Sequence, residues 1–491
     1  MTWHRANPCA RASPRGVLTD EGSGLRPSAR ATMSDNAALK KELGPVLLWA
    51  LGVGYVISGM YFGWNLGLPE AGPYGFLAAT VIATFLYVSL VASYAELACA
   101  LPRAGGAFVY AHQALGPSLG LVCGLAQWIE FVFAPPAIAA AIGAYVHVFV
   151  PGLSPTAAAM IAYIAITALN IFGVKQSATF ELGVTVLAVV ELLVFIAVAA
   201  FVGPGFRIET FARNPLPHGW AGTFAALPYA LWFYLGIEGV ANLAEESVNP
   251  QRDLPRGLNL AMGTLVVLAL CTFFAAVGVD GWESVVYKPG TKELSDSPLP
   301  LALAHVVGEG TVFYHMLVTI GIFGLIASFH GILITAGRCT FEFGRVGYAP
   351  RGLGRTLRGR DTPAAALVTN MFLGFAALLT GRTGEIITLS VFGALTMYAL
   401  SMVSLFRLRQ TAPHLLRPYR APGYPFVPAT ALVLSVVCLA AMVMTQTRIA
   451  IYYASAMLVG FIYFRLVIQP NVRETPFPLP AQHHVTTPSK D

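Results

Sequence analysis

The sequence predicts an all-α polytopic membrane protein of about twelve transmembrane helices, the first and sixth of them discontinuous. Three observations lead there. Hydrophobic residues make up 56% of the 491 and charged residues only 11%, with a mean hydropathy of +0.66. A soluble domain carries about 25% charged residues, so this chain could not clothe a water-facing surface. The apolar residues fall into repeated runs of about 18–25, the length a helix needs to cross a bilayer. The charges sit between those runs, where topology accounts for them, and no basic cluster with interleaved aromatics points to nucleic acid despite a net charge of +6.

In order, the spans run approximately 45–68, 74–99, 119–149, 156–173, 181–203, 218–242, 257–280, 312–340, 363–380, 385–408, 427–446 and 450–469. The loops are short except at 281–311 and 341–362. Residues 1–43 read as a polar N-terminal segment, 44–470 as the transmembrane domain, and 471–491 as a Pro-rich disordered tail. Residues 1–32 are Arg- and Ala-rich and lack the apolar core of a secretory signal. They read as a mispredicted start, with Met33 as the natural initiator.

An even number of spans puts both termini on one side, and basic residues say which. Arg5, Arg11, Arg15, Arg26, Arg30, Lys40 and Lys41 precede the first span. Arg345, Arg351, Arg355, Arg358 and Arg360 follow span eight, and Arg409, Arg417 and Arg420 follow span ten. The opposite loops hold only Arg207, Arg213, Lys288, Lys292, Arg382 and Arg448. Both termini are therefore expected in the cytoplasm, with the chain in the cell (inner) membrane. Cys99, Cys123, Cys271, Cys339 and Cys438 lie in or beside apolar runs without metal spacing and read as small buried residues.

The first span contains Gly52, Gly54, Ser58, Gly59, Gly63 and Gly67, with polar Asn65 among them. The sixth contains Pro228 and then Tyr234-Leu-Gly-Ile-Glu-Gly239 in mid-membrane. Glycines permit tight helix packing, which accounts for Gly52 and Gly54. They do not account for Glu238, since an acid at that depth is costly unless it meets a partner or water. A Gly-interrupted pair in corresponding positions of two five-span halves is a pointer to a secondary transporter's binding site. Unwinding frees carbonyls that suit an ammonium, here around Ile57, Trp232 and Leu235, with Ser58, Gly59 and Gly236 in the same stretches.

Three longer motifs then name a family. Glu96-Leu-Ala-Cys-Ala-Leu-Pro-Arg-Ala-Gly-Gly-Ala-Phe-Val-Tyr110 with Ala114-Leu-Gly-Pro117, Leu243-Ala-Glu-Glu-Ser-Val-Asn-Pro-Gln-Arg-Asp-Leu-Pro-Arg256, and Arg417-Pro-Tyr-Arg-Ala-Pro-Gly-Tyr-Pro425 resemble signatures of the amino acid–polyamine–organocation superfamily. The resemblance covers about residues 44–470. It implies a five-plus-five inverted repeat (LeuT-like) with two additional C-terminal helices. Ile57-Ser-Gly-Met-Tyr-Phe-Gly-Trp-Asn-Leu-Gly67, Ile129-Glu-Phe-Val-Phe-Ala-Pro-Pro136 and Ala327-Ser-Phe-His-Gly-Ile332 look like the ethanolamine permease branch. In amino-acid-carrying relatives the first break usually reads Gly-Ser-Gly and its amides hold the substrate carboxylate. Here Ile57 stands at the first glycine, which fits a substrate without a carboxylate. Relatives driven by protons carry a lysine in span five. By the Gly173–Ala178 anchor that position is Ala188, with Glu191 a turn later, so the coupling mechanism is not inherited.

By the same resemblance Glu130 faces the substrate side chain. It pairs with a substrate ammonium or is a protonated glutamate bonded to a neighbouring helix. Glu238 is a proton carrier or gate, or a structural tie; Glu191 shares the gating or coupling assignment. Trp232 and Tyr61 form cation–π walls, with a lipid-facing or packing role as the alternative for Tyr61. His330 reads as a neutral packing histidine, and Glu96 and Arg103 as shapers of a loop. No P-loop, metal cluster or nucleophile elbow is present, so no enzyme, cofactor or metal is expected. The expected function is alternating-access import of a small amine, ethanolamine foremost, with a coupling proton or cation and the lipid bilayer as partners. The alternatives are a proton-coupled amino acid permease or exchanger, and a membrane solute sensor. The sequence does not indicate an oligomeric state.

Overall fold

The computed structural model describes residues 42–103, 105–172, 178–202, 205–357 and 362–468. Most of the expected polar N-terminal segment, Gly173–Ser177 of the span-five anchor, Arg358, Arg360 and the tail lie outside the described residues.

In chain order the helices are α1 (Pro45–Val56), α2 (Ser58–Tyr61), α3 (Leu68–Ala100), α4 (Ala107–Leu115), α5 (Pro117–Phe149), α6 (Pro155–Phe172), α7 (Ala178–Phe201), α8 (Ala221–Ala225) and α9 (Leu227–Trp232). They continue as α10 (Pro250–Asp280), α11 (Glu283–Val286), α12 (Pro298–Val307), α13 (Val312–Arg345), α14 (Ala364–Leu378), α15 (Thr383–Thr411), α16 (Phe426–Thr445) and α17 (Thr447–Tyr463). Nine helices among the described residues are long and apolar enough to cross a membrane. The three remaining expected spans have local reasons to fall short. The first and sixth are broken, and α14 is only 15 residues long.

The order of helices carries a repeat. The first broken segment is followed by α3, α5, α6 and α7, and the second by α10, α13, α14 and α15. Lengths match in sequence, 33 against 31 residues for α3 and α10 and 33 against 34 for α5 and α13. Five crossings per half oblige the second half to enter from the opposite face, so the repeat is inverted; α16 and α17 are the additions. Short helices fill loops that the sequence left featureless: α4 after α3, and α11 and α12 after α10.

The first segment is interrupted twice. Ile57 has φ −58° and ψ −24°, its N–H donates to Val53 at 2.9 Å, and its carbonyl accepts from Met60 N–H at 3.0 Å. The chain leaves the helix at Phe62, which is extended, and Gly63, whose φ of +89° a side chain would resist. A 3₁₀ turn, Trp64–Gly67, follows. One interruption thus lies at Ile57, between α1 and α2, in the expected stretch, and a second lies about a turn beyond it, at Phe62–Gly63. In the sixth segment α9 ends at Trp232, Gly236 takes φ +96°, and Ile237–Glu246 continues as 3₁₀ helix.

Small residues let the two broken segments and their neighbours meet. A Cβ on Gly59 would stand 2.6 Å from the Trp232 carbonyl oxygen, and one on Gly54 would stand 2.9 Å from Glu181 Oε1 of α7. At one end of the bundle, Leu43 and Ser247 form a parallel bridge, with Leu43 N–H to Glu246 O at 3.1 Å and Val248 N–H to Leu43 O at 3.0 Å. An Arg338–Glu246 ion pair at 2.6 Å joins α13 to the same end. Glu96, 1% exposed at the end of α3, receives Arg409 through Nε at 2.9 Å and Nη2 at 2.6 Å. The Ala421 N–H also reaches it at 2.7 Å, so this acid ties the α15–α16 connection to α3.

Candidate functional site

Between the two breaks lies a small cavity lined by Tyr55 and Ser58, by Glu130, Phe131, Ala134 and Ile138 of α5, by Trp232, Leu235 and Gly236, and by Ile332 of α13. The space open to the centre of a water-sized sphere is about 10 Å³, room for about one water. The cavity as it stands has no room for a solute larger than water.

Each wall has a local cause. Pro135 and Pro136 inside α5 lack the N–H groups that would bond the carbonyls of Phe131 and Val132, and so leave polar backbone beside the cavity. Gly393 lets α15 seat against α5, since its Cβ would stand 2.4 Å from the Ala126 carbonyl oxygen and 2.9 Å from Glu130 N. Ser390 Oγ, one turn earlier on α15, donates to the Glu130 carbonyl at 2.8 Å. On α13, Ser328 Oγ donates to the Tyr55 carbonyl at 2.7 Å and shares a hydrogen bond with Ser58 Oγ at 2.8 Å.

The acids are the chemical content of the site. Glu130 and Glu238 are 1% and 3% exposed, and their carboxyls face each other. Tyr398 of α15 donates its hydroxyl to Glu238 Oε2 at 2.9 Å and is itself 3.1 Å from the Tyr87 hydroxyl of α3. Tyr234 extends this polar seam to Thr84 at 2.8 Å. Glu191 belongs to a different place. The Tyr61 hydroxyl donates to its Oε2 at 2.7 Å, with the Ala188 carbonyl at 3.2 Å, and the Tyr145 hydroxyl donates to the Tyr61 carbonyl at 3.0 Å.

Of the residues singled out from sequence, Ser58, Glu130, Trp232, Leu235 and Gly236 meet at the cavity. Ile57, Gly59 and Tyr61 are fully or almost fully buried in the same segment but are not among its lining. Gly59 faces the Trp232 backbone, and the Tyr61 ring packs on Gly321 and Gly324 of α13 while its hydroxyl reaches α7. Two of the carbonyls expected to be free are engaged: Ile57 O accepts from Met60 N–H, and Trp232 O from Leu235 N–H at 3.4 Å. Sequence reasoning missed Tyr87 and Tyr398. Hydroxyls in the middle of apolar runs were the available signal, but their pairing spans 311 residues.

A family model described as amino acid permease matches residues 43–464. The chain is 29% identical over 419 residues to an uncharacterized transporter of Rhizobium meliloti, covering 84% of this chain and 88% of that one. It is 26% identical over 464 residues to the branched-chain amino acid permease BcaP of Bacillus subtilis, covering 89% and 95%. To the gamma-aminobutyric acid permease of Escherichia coli it is 24% identical over 372 residues, covering 73% and 78%.

Proposed function

The chain belongs to the amino acid permease family, whose members are multi-pass membrane transporters and not enzymes, and on that premise we propose that it imports a small amine, ethanolamine foremost, by alternating access. One observation carries the amine: a buried carboxyl, Glu130, lines the cavity, and the charged group facing it is a second acid, Glu238. A cationic substrate supplies what the pair lacks.

Part of the first segment's backbone is already committed. In the first segment the N–H groups of Ile57, Met60 and Phe62 already donate to main-chain carbonyls, and that of Gly63 donates to Asn65 Oδ1 at 3.1 Å. A carboxylate would have to compete for them. Ile57, at the position where amino-acid carriers of this type have glycine, adds a side chain to the same stretch. The names of the branched-chain and gamma-aminobutyric acid relatives favour the second reading, an amino acid permease or exchanger. We place both termini in the cytoplasm, residues 44–470 in the transport unit, and coupling at Glu238 and Glu191, each hydrogen-bonded to a tyrosine on another helix.

Uptake of labelled ethanolamine into proteoliposomes, with alanine and γ-aminobutyrate as competitors, tests this. Ethanolamine should be carried and the amino acids should compete poorly; equal competition would sink the amine reading. Binding without flux would instead indicate a sensor.

A further inference from the structure

The acid pair specifies more than a positive charge. Glu130 Oε1, Glu130 Oε2 and Glu238 Oε1 are buried and have no hydrogen-bond partner among the described residues, and Tyr398, which also faces Glu130, gives its one O–H to Glu238. Glu238 Oε2 is already served by Tyr398. Besides Tyr398, the titratable groups that face the pair are Tyr87, Tyr94, Tyr453 and Cys339, and none of these carries a positive charge. Side by side and out of water, two carboxyls either share a proton or gather a cation between them.

A primary ammonium has three N–H donors and no acceptor. We propose that the Glu130–Glu238 pair counts N–H groups: its three open carboxyl oxygens take the three N–H bonds of a primary ammonium, which replaces the proton the pair would otherwise share, so primary amines bind and their N-methylated forms are rejected. The inference rests on the amine reading above and narrows its substrate class. The exchange is balanced, because one proton leaves as one ammonium arrives and the charge of the site is unchanged. Each N-methyl group removes one donor and puts a methyl against a buried carboxylate oxygen, which then loses both water and partner. The tight cavity beside Glu130 leaves little room for the added carbon.

Competition against labelled ethanolamine on purified protein decides it, with N-methylethanolamine, N,N-dimethylethanolamine and choline as the series. Each methyl should weaken binding by about tenfold or more, and choline should fail to compete. In Glu238→Gln the amide nitrogen takes the place of one open oxygen and donates to a second, on Glu130, so a single open oxygen remains and ethanolamine and N-methylethanolamine should bind within about threefold of each other. The wild-type series stands by itself should that variant not fold. If ethanolamine binds and choline binds equally well, the counting role is wrong while the amine reading survives. If no amine binds, both fall.

Discussion

Gly59→Ala is the sharpest test of how the two broken segments are held. The new Cβ would stand 2.6 Å from the Trp232 carbonyl oxygen and 3.1 Å from Phe233 Cα. Ordinary contact begins near 3.4 Å, so the first and sixth segments must part by about 0.8 Å. Both obstacles are backbone, and no side-chain rotation relieves them. The displaced carbonyl is also the acceptor for Leu235 N–H, so the turn leading to Gly236 opens with it. Overpacking of this kind costs about 1–3 kcal/mol. Gly263→Ala in α10 is the control, since nothing lies within 4 Å of its Cβ and alanine is the better helix former by about 0.8–1 kcal/mol. Thermal melting and ethanolamine uptake should be read on the same preparations. Gly59→Ala should melt lower and lose most uptake, while Gly263→Ala should match or exceed the parent in melting temperature. Parental uptake and melting in Gly59→Ala would refute the close-approach argument.

Three further outcomes are expected. Glu130→Gln should weaken ethanolamine binding by about tenfold or more at unchanged protein abundance, because a buried charge partner is removed; equilibrium binding on purified protein checks it. Glu96→Gln should cost about 3–5 kcal/mol by leaving Arg409 without its carboxylate, seen as lower yield and melting temperature while the folded fraction keeps its substrate affinity. Asp296 lies between α11 and α12, half-buried, accepting from Thr383 Oγ1 at 2.9 Å, and burial pushes its carboxyl up from 3.8 to about 6. The folded chain therefore binds that proton more tightly than an unfolded one. The stability this provides is full below about pH 4 and is lost as pH rises through about 6. Asp296→Asn should flatten that part of the profile in melts taken from about pH 4 to 7.

What could be foreseen follows from which constraints are local. The bilayer imposes a length on every crossing, so α3, α5, α10, α13 and α15 were legible as apolar runs. The sixth break was legible because Gly236 and Glu238 have no business in an uninterrupted membrane helix. The second interruption of the first segment, at Phe62–Gly63, was not foreseen because glycine serves two purposes there. Gly52, Gly54 and Gly59 are small so that neighbours can approach, while Gly63 is the one with left-handed backbone. Single-sequence composition does not separate those uses. Long-range pairings were illegible for a simpler reason: Glu238 meets Tyr398 across 160 residues and Tyr61 meets Glu191 across 130, and neither separation leaves a periodic trace. The α4 helix was missed because it is short and lies between two spans.

The bridge between Leu43 and Ser247 makes the entry to the first segment and the exit of the sixth a single handle. Tension applied at Glu42 should pass through three backbone hydrogen bonds, from Glu42 and Leu43 N–H to Glu246 O and from Val248 N–H to Leu43 O, into the residues that close the 3₁₀ helix carrying Glu238. The last described residues, Phe464–Ile468, follow α17, which packs on α5, α15 and α16. A bulky fusion or surface tether placed just before Glu42 should therefore load the segment that carries Glu238.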